Sequence, residues 1–240
     1  MSARRSPLRT QLVLSCEHGG KRIPREYAAL FRGASALLAS HRGWDPGALL
    51  VARSLSRRLG RPLHFVTWSR LLVEPNRAPT NPRIWSSRTK VLSRAEREVI
   101  LERYWWPHRR AVEGAVRNSI ALGFRVFHVA VHSFTPELGG VKRNADVGLL
   151  YDSRRSHERA LCRRWQESLQ ALAPDLRVRR NYPYQGMADG LPTWLRRRVP
   201  ERLYAGVELE LNQALLAGAR RGKLASVLGT SIEELLRSGS

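Results

Sequence analysis

The chain has 240 residues, 42% hydrophobic and 26% charged, a globular balance that excludes a disordered tail, a collagen-like repeat and a disulfide-dense scaffold. That length suits one large domain or two small ones and buries enough surface to fold without a disulfide or metal staple. Its 42 Lys+Arg against 20 Asp+Glu leave a formal net charge of +22, which suits anionic partners. Lysine occurs only at positions 21, 90, 142 and 223, and arginine is spread along the whole chain, with Arg196-Arg197-Arg198 and Arg220-Arg221 the nearest to basic blocks. That dispersal reads as an Arg-, Ala- and Leu-rich composition rather than a nucleic-acid footprint.

Arg4-Arg5 and the stretch Val13-Leu14-Ser15-Cys16 loosely match export signals. The apolar stretch Leu12-Val13-Leu14 falls far short of the roughly 7–15 residues of a signal core, so neither is accepted. No apolar run nears the roughly 18 residues of a membrane span. Cys16 and Cys162 have no metal-type spacing, and the reading is cytoplasmic. Leu12–Cys16 is instead predicted as a buried first strand running into a Gly19-Gly20 turn. Asp45-Pro46 opens a helix to about Leu59, with Asp as cap and Pro at the first position. Leu63–Val66 is a short strand. Ser93-Arg94-Ala95-Glu96 is a capping box for a helix towards Ala121. Phe124–Val131 and Asp146–Tyr151 are strands, Ser156–Ala171 a helix, Leu176–Val178 an edge strand, Leu191–Arg198 a helix and Tyr204–Leu211 a strand. Thr230–Arg237 closes as a second capping-box helix. Strands alternating with helices predict an α/β three-layer sandwich around a mixed, mostly parallel sheet. No repeat, linker or composition break divides the chain, so residues 1–240 read as a single domain.

In such sheets ligands bind beyond the carboxyl ends of the strands. The first strand delivers Glu17-His18-Gly19-Gly20 to that edge, the strand at 124–131 delivers His132-Ser133, and the last delivers Glu208 and Glu210, which share a face. Two imidazoles, a carboxylate, an open position and a nearby carboxylate base are what a catalytic zinc site needs. A histidine at a strand end is often merely hydrogen-bonded, and seven histidines are no excess. His128, on the same face as His132 but well inside its strand, reads as a satisfied core residue. His41, His64, His108 and His157 show no partner pattern and read as structural or exposed. Asp45 is first of all a helix cap, and Asn76-Arg77 a turn. For a nucleic-acid binder the only local match is Trp105-Trp106 beside Arg103, Arg109 and Arg110, a pair that on a long helix reads first as core.

The ordered set Ser15-Cys16-Glu17-His18-Gly19-Gly20, Trp44-Asp45, Ser69-Arg70-Leu71-Leu72-Val73-Glu74-Pro75-Asn76-Arg77, Val131-His132-Ser133-Phe134-Thr135-Pro136, Asn181-Tyr182-Pro183-Tyr184 and Glu208-Leu209-Glu210-Leu211-Asn212-Gln213 resembles the N-formylglutamate amidohydrolase family, over about residues 12–216. The blocks are specific together and weak singly. The resemblance implies a fold like that of the zinc carboxypeptidases and aspartoacylase-type deacylases, and release of a formyl group from an acidic amino acid. It implies His18 and His132 as zinc ligands, Glu210 as general base with Glu208 its alternative, and Asn76-Arg77 as the grip on a substrate carboxylate, with Arg70 and Tyr184 assisting. A His-x-x-Glu zinc motif would need a carboxylate where this chain has Lys21, so the third ligand is Asp45 or, alternatively, Glu17. Where relatives carry Asp-x-Asn-Arg this chain has Glu74-Pro75-Asn76-Arg77, so either Glu74 keeps the acidic role or the substrate differs. The expected partner is a small anionic substrate, not nucleic acid or membrane. A same-fold hydrolase of another N-acyl amino acid or peptide is the alternative activity.

Overall fold

The computed structural model describes residues 8–238; Arg4-Arg5 lies outside them. Among the described residues, eight strands and seven α-helices follow in chain order: β1 (Thr10–Cys16), α1 (Ser35–Ala39), α2 (Ala48–Leu59), β2 (Leu63–Phe65), α3 (Arg94–Ile100), α4 (Trp106–Ala121), β3 (Arg125–Phe134), β4 (Glu137–Leu138), β5 (Val141–Lys142), β6 (Val147–Leu150), α5 (Ser156–Leu172), β7 (Val178–Arg180), α6 (Leu191–Arg196), β8 (Tyr204–Asn212) and α7 (Gly218–Ser238). Six strands form one sheet in the order β2-β1-β3-β8-β6-β7, and β4 and β5 form a separate hairpin. Neighbours pair in parallel except β6 with β8, which is antiparallel. This is the mixed, mostly parallel sheet that the strand–helix alternation predicts.

Burial explains the layers. β3 is buried at every position after Arg125 and β8 at every position but Glu208, as expected of strands covered on both faces. On one face α2, α5 and α7 bury Leu55, Trp165 and Leu228 against Leu14, Phe127 and Val207. On the other, α4 and α6 bury Val112, Val116, Leu191 and Leu195 against Val13 and Val126. A third cluster, around Leu72, Ile84, Ile100 and Trp105, seats the long segment between β2 and α4. Among the described residues no helix is long and apolar enough to cross a membrane.

Three predicted elements differ. The helix expected from Ser93 to Ala121 is interrupted by a π-helical stretch, Leu101–Trp105; Pro107 in the first turn of α4 has no N–H to continue the ladder. Its Ser93 capping box forms as expected. Thr230 is not a cap, because α7 already begins at Gly218 and Thr230 Oγ1 donates back to the Ser226 carbonyl at 3.2 Å. Asp45-Pro46 does not open α2. The cap is Gly47, at φ +83, and a Cβ there would also meet the Leu216 side chain at 2.6 Å. The hairpin β4–β5 and the short helix α1 had no signal in the apolar pattern.

The chain passes from β1 to β2 on one side of β1 and returns to β3 on its other side. That reversal makes a crevice at the carboxyl ends of β1 and β3, the place where ligands bind in open α/β sheets.

Candidate active site

Glu17 and His18 follow directly on β1. A Cβ at Gly19 would lie 2.8 Å from the Val66 carbonyl oxygen and 3.2 Å from the Leu49 side chain, so the missing side chain lets this loop close against α2 and the end of β2. His132 and Glu210 are register partners on β3 and β8 and project from the same face. Asp45 comes from the loop before α2, where its backbone N–H donates to the His18 carbonyl at 2.9 Å. Its side chain turns into the crevice instead of capping the helix, because His18, His132, Arg70 and the Ser133 N–H all claim it.

His18, Asp45 and His132 are buried, and their ligand-type atoms lie within 4.8 Å of one another. His18 Nδ1 is 3.1 Å from His132 Nδ1, and Asp45 Oδ2 lies 3.3 Å from the first and 3.1 Å from the second. Two ligands held at about 2.0–2.1 Å by a tetrahedral ion are roughly 3.3 Å apart, so the spacing fits a shared cation. The backs of the rings support this. His18 Nε2 meets Glu74 Oε1, and His132 Nε2 faces Glu17 Oε2 at 3.0 Å, close enough for an ion pair although not aligned as a hydrogen bond. A carboxylate behind Nε2 favours the proton there and leaves the Nδ1 lone pair for a metal. Asp45, not Glu17, is therefore the carboxylate among the converging atoms; Glu17 braces His132 from behind.

Electrostatics agree. Burial would push both imidazoles towards neutrality, with Arg70 adding to that at His18. Glu74 and Asp45 at His18, and Asp45 and Glu17 at His132, overcome it and raise both, His132 strongly. The cluster thus draws positive charge, which a metal ion supplies with both rings neutral. Burial likewise opposes ionisation of the three carboxylates, yet His108 and His132 hold Glu17 low, His18 and His132 hold Asp45 low, and Arg70 and His18 hold Glu74 low. Glu210 behaves oppositely. Burial, reinforced by Asp45 and Glu208 against the pull of His132, pushes its carboxyl up to about 7. Its Oε2 is buried without a hydrogen-bond partner.

His18, Asp45, His132 and Glu210 line a cavity of about 560 Å³ that also includes Arg70, Asn76, Arg77, Tyr184 and Glu208. Arg77 donates from Nη1 to the Asp189 carbonyl at 2.8 Å, leaving the rest of its fork. Tyr184 stands at the rim, 46% exposed. Arg70, at the cavity wall, has its guanidinium held by Glu74 at 2.6 Å and Asp45 at 3.4 Å, so it braces the carboxylates of the cluster. Asn76 donates to Glu208 at 2.7 Å and accepts from the Leu191 N–H at 2.7 Å; each end of its amide keeps one further hydrogen-bonding position. Lys21, where the His-x-x-Glu spacing would put a ligand, lies over the Trp44 ring. Sequence reasoning passed over His41, which lines the cavity. It also passed over His108, whose Nε2 donates to the Glu17 carboxylate at 3.0 Å behind His132, and over Arg143. Only His108 had a readable signal, its place on the buried stripe of α4.

The family model for N-formylglutamate amidohydrolases matches residues 10–217. The chain belongs to the N-formylglutamate amidohydrolase family. It is accordingly a hydrolase acting on amide bonds. Among solved structures it is similar to the gene product Atu2144 of Agrobacterium tumefaciens, at 30% identity over 95% of this chain and 90% of that one, with a TM-score of 0.79. It is also similar to an N-formylglutamate amidohydrolase from Ralstonia eutropha JMP134, at 20% identity over 99% and 97%, with a TM-score of 0.69; at that identity the likeness speaks for the fold. No curated sequence matches.

Proposed function

We propose that this amidohydrolase is zinc-dependent and cleaves an N-acyl acidic amino acid, N-formyl-L-glutamate in the first instance, to the free amino acid and formate. The observation that carries the reading is the convergence of two Nδ1 atoms on Asp45 beside Glu210, whose carboxyl is poised near neutrality in the same cavity. His18, Asp45 and His132 would hold the metal, with Glu74 and Glu17 fixing the two rings from behind. What a bound zinc supplies is Lewis acidity, towards water and the amide carbonyl. Glu210 takes a proton from the attacking water and returns it to the leaving nitrogen, work suited to a carboxyl titrating near the working pH. Arg77 meets a substrate carboxylate with its remaining N–H groups, and the buried cluster keeps bulk water from its carboxylates.

Zinc content of the purified protein, with formate release from N-formyl-L-glutamate on the same sample, tests this. The expected result is about one zinc per chain and formate release. Zinc without formate redirects the search to other N-acyl amino acids and peptides. Absence of bound metal after zinc loading sinks the reading. A cytoplasmic location belongs to this proposal as well.

A further inference from the structure

Arg143 follows β5, and its backbone N–H donates to the Pro136 carbonyl at 2.8 Å, closing the hairpin base against the end of β3. Its guanidinium lies over two aromatic rings, Phe134 at 5.8 Å and Tyr184 at 5.0 Å. Those rings come from distant parts of the chain, the last residue of β3 and the loop after β7. The loop is pinned in turn: the Asn181 side chain accepts from the Tyr151 N–H at 3.0 Å and the Gly186 N–H at 3.2 Å. Arg143 lines the same cavity as His132 and Glu210. It also walls a shallower depression, where Asp146 is paired with Arg177.

The three arginines of the cavity differ in their commitments. Arg70 is bound to two buried carboxylates and Arg77 to one carbonyl. For the Arg143 guanidinium no acceptor occurs among the described residues. The nearby acids do not answer it: Asp189 accepts from Ala78 and Asn81, and Glu208 from Asn76. Aromatic rings against a guanidinium hold its plane and leave its N–H edges free for a planar, two-point acceptor. A carboxylate is such an acceptor.

We infer that Arg143, clamped by Phe134 and Tyr184, is the specificity residue that binds the second carboxylate of a dicarboxylic substrate, the first being met by Arg77. This rests on the activity proposed above. On that activity it makes the preference for an acidic over a neutral acyl-amino acid a property of one side chain.

The test compares zinc-loaded wild type, Arg143→Gln and Arg143→Lys on N-formyl-L-glutamate and its neutral counterpart N-formyl-L-glutamine. Loss of a charge-assisted contact predicts that the glutamate-over-glutamine preference in kcat/KM falls about 10–100-fold in Arg143→Gln, mainly through KM, with partial recovery in Arg143→Lys. An equal loss on both substrates, or none, overturns the assignment. Calorimetric titration of wild type and Arg143→Gln with glutarate and with butyrate separates this idea from the activity itself. If neither formyl compound is cleaved by wild type, the activity proposal fails. Glutarate binding tighter than butyrate, and lost in Arg143→Gln, then still supports Arg143 as a second carboxylate site; equal binding of the two acids, or none, overturns it.

Discussion

His128 and His132 stand four residues apart on one face of the same strand, and both are buried, at 0% and 2% exposure. They have opposite chemistry. His128 sits between two hydroxyls, Ser15 Oγ at 2.8 Å and Tyr204 OH at 2.7 Å, and burial drives it down to about 3. His132 sits between two carboxylates and is driven well up. Burial is therefore not what marks a site. Neutral partners close the hydrogen-bonding of one ring inside the core, whereas anionic partners leave the other asking for a cation.

The largest effect should come from removing the ring with anionic partners. His132→Ala is expected to lose metal and activity together, by about 10³-fold or more in kcat/KM, as read by metal analysis and formate release. Next is Glu210→Gln, which should keep the metal while kcat falls about 10²–10⁴-fold; retained turnover would shift the proton transfer to Glu208. His128→Phe tests the other half of the comparison. Stranding Ser15 and Tyr204 hydroxyls should cost about 1–3 kcal/mol each in urea unfolding, while kcat of the folded enzyme stays at the wild-type value.

The same variant carries a pH signature. An unfolded histidine titrates near 6.5, but folded His128 stays neutral down to about 3. Between those values the unfolded chain holds one more proton, so wild-type stability falls as pH falls, by roughly 1.4 kcal/mol per pH unit from this group. His128→Phe should flatten that slope by one proton between pH 5 and 4. If the slope is unchanged, His128 is not the buried neutral ring described here.

The smallest pair of effects extends the comparison to helix signals. Ser93-x-x-Glu96 and Thr230-x-x-Glu233 read alike in the sequence, but only the first lies at a helix start. Ser93→Ala should cost about 0.5–2 kcal/mol, and Thr230→Ala should stay within about 0.5 kcal/mol. Equal costs would contradict the helix start at Gly218.

Local order set what could be read early. The apolar runs of β1 and β3, the alternation of β8 and the stripes of α2 and α5 name their own elements, because a strand covered on both faces is largely apolar, successive strand side chains point to opposite faces, and a helix must bury one side. The motif blocks carried His18, His132 and Glu210 to one edge of the sheet, and their order carried the family resemblance. Tertiary structure decided the rest. Asp45 reads as a helix cap and becomes a partner of two histidines only because β1 and β3 lie side by side. Glu17 and His108 meet across 91 residues, and Arg143 finds Phe134 and Tyr184 from a hairpin with no apolar pattern. Periodicity reports which side of an element is buried. Which charges then face one another is fixed only when separate elements close on the same crevice, and that pairing determines whether a buried histidine fills the core or draws a cation.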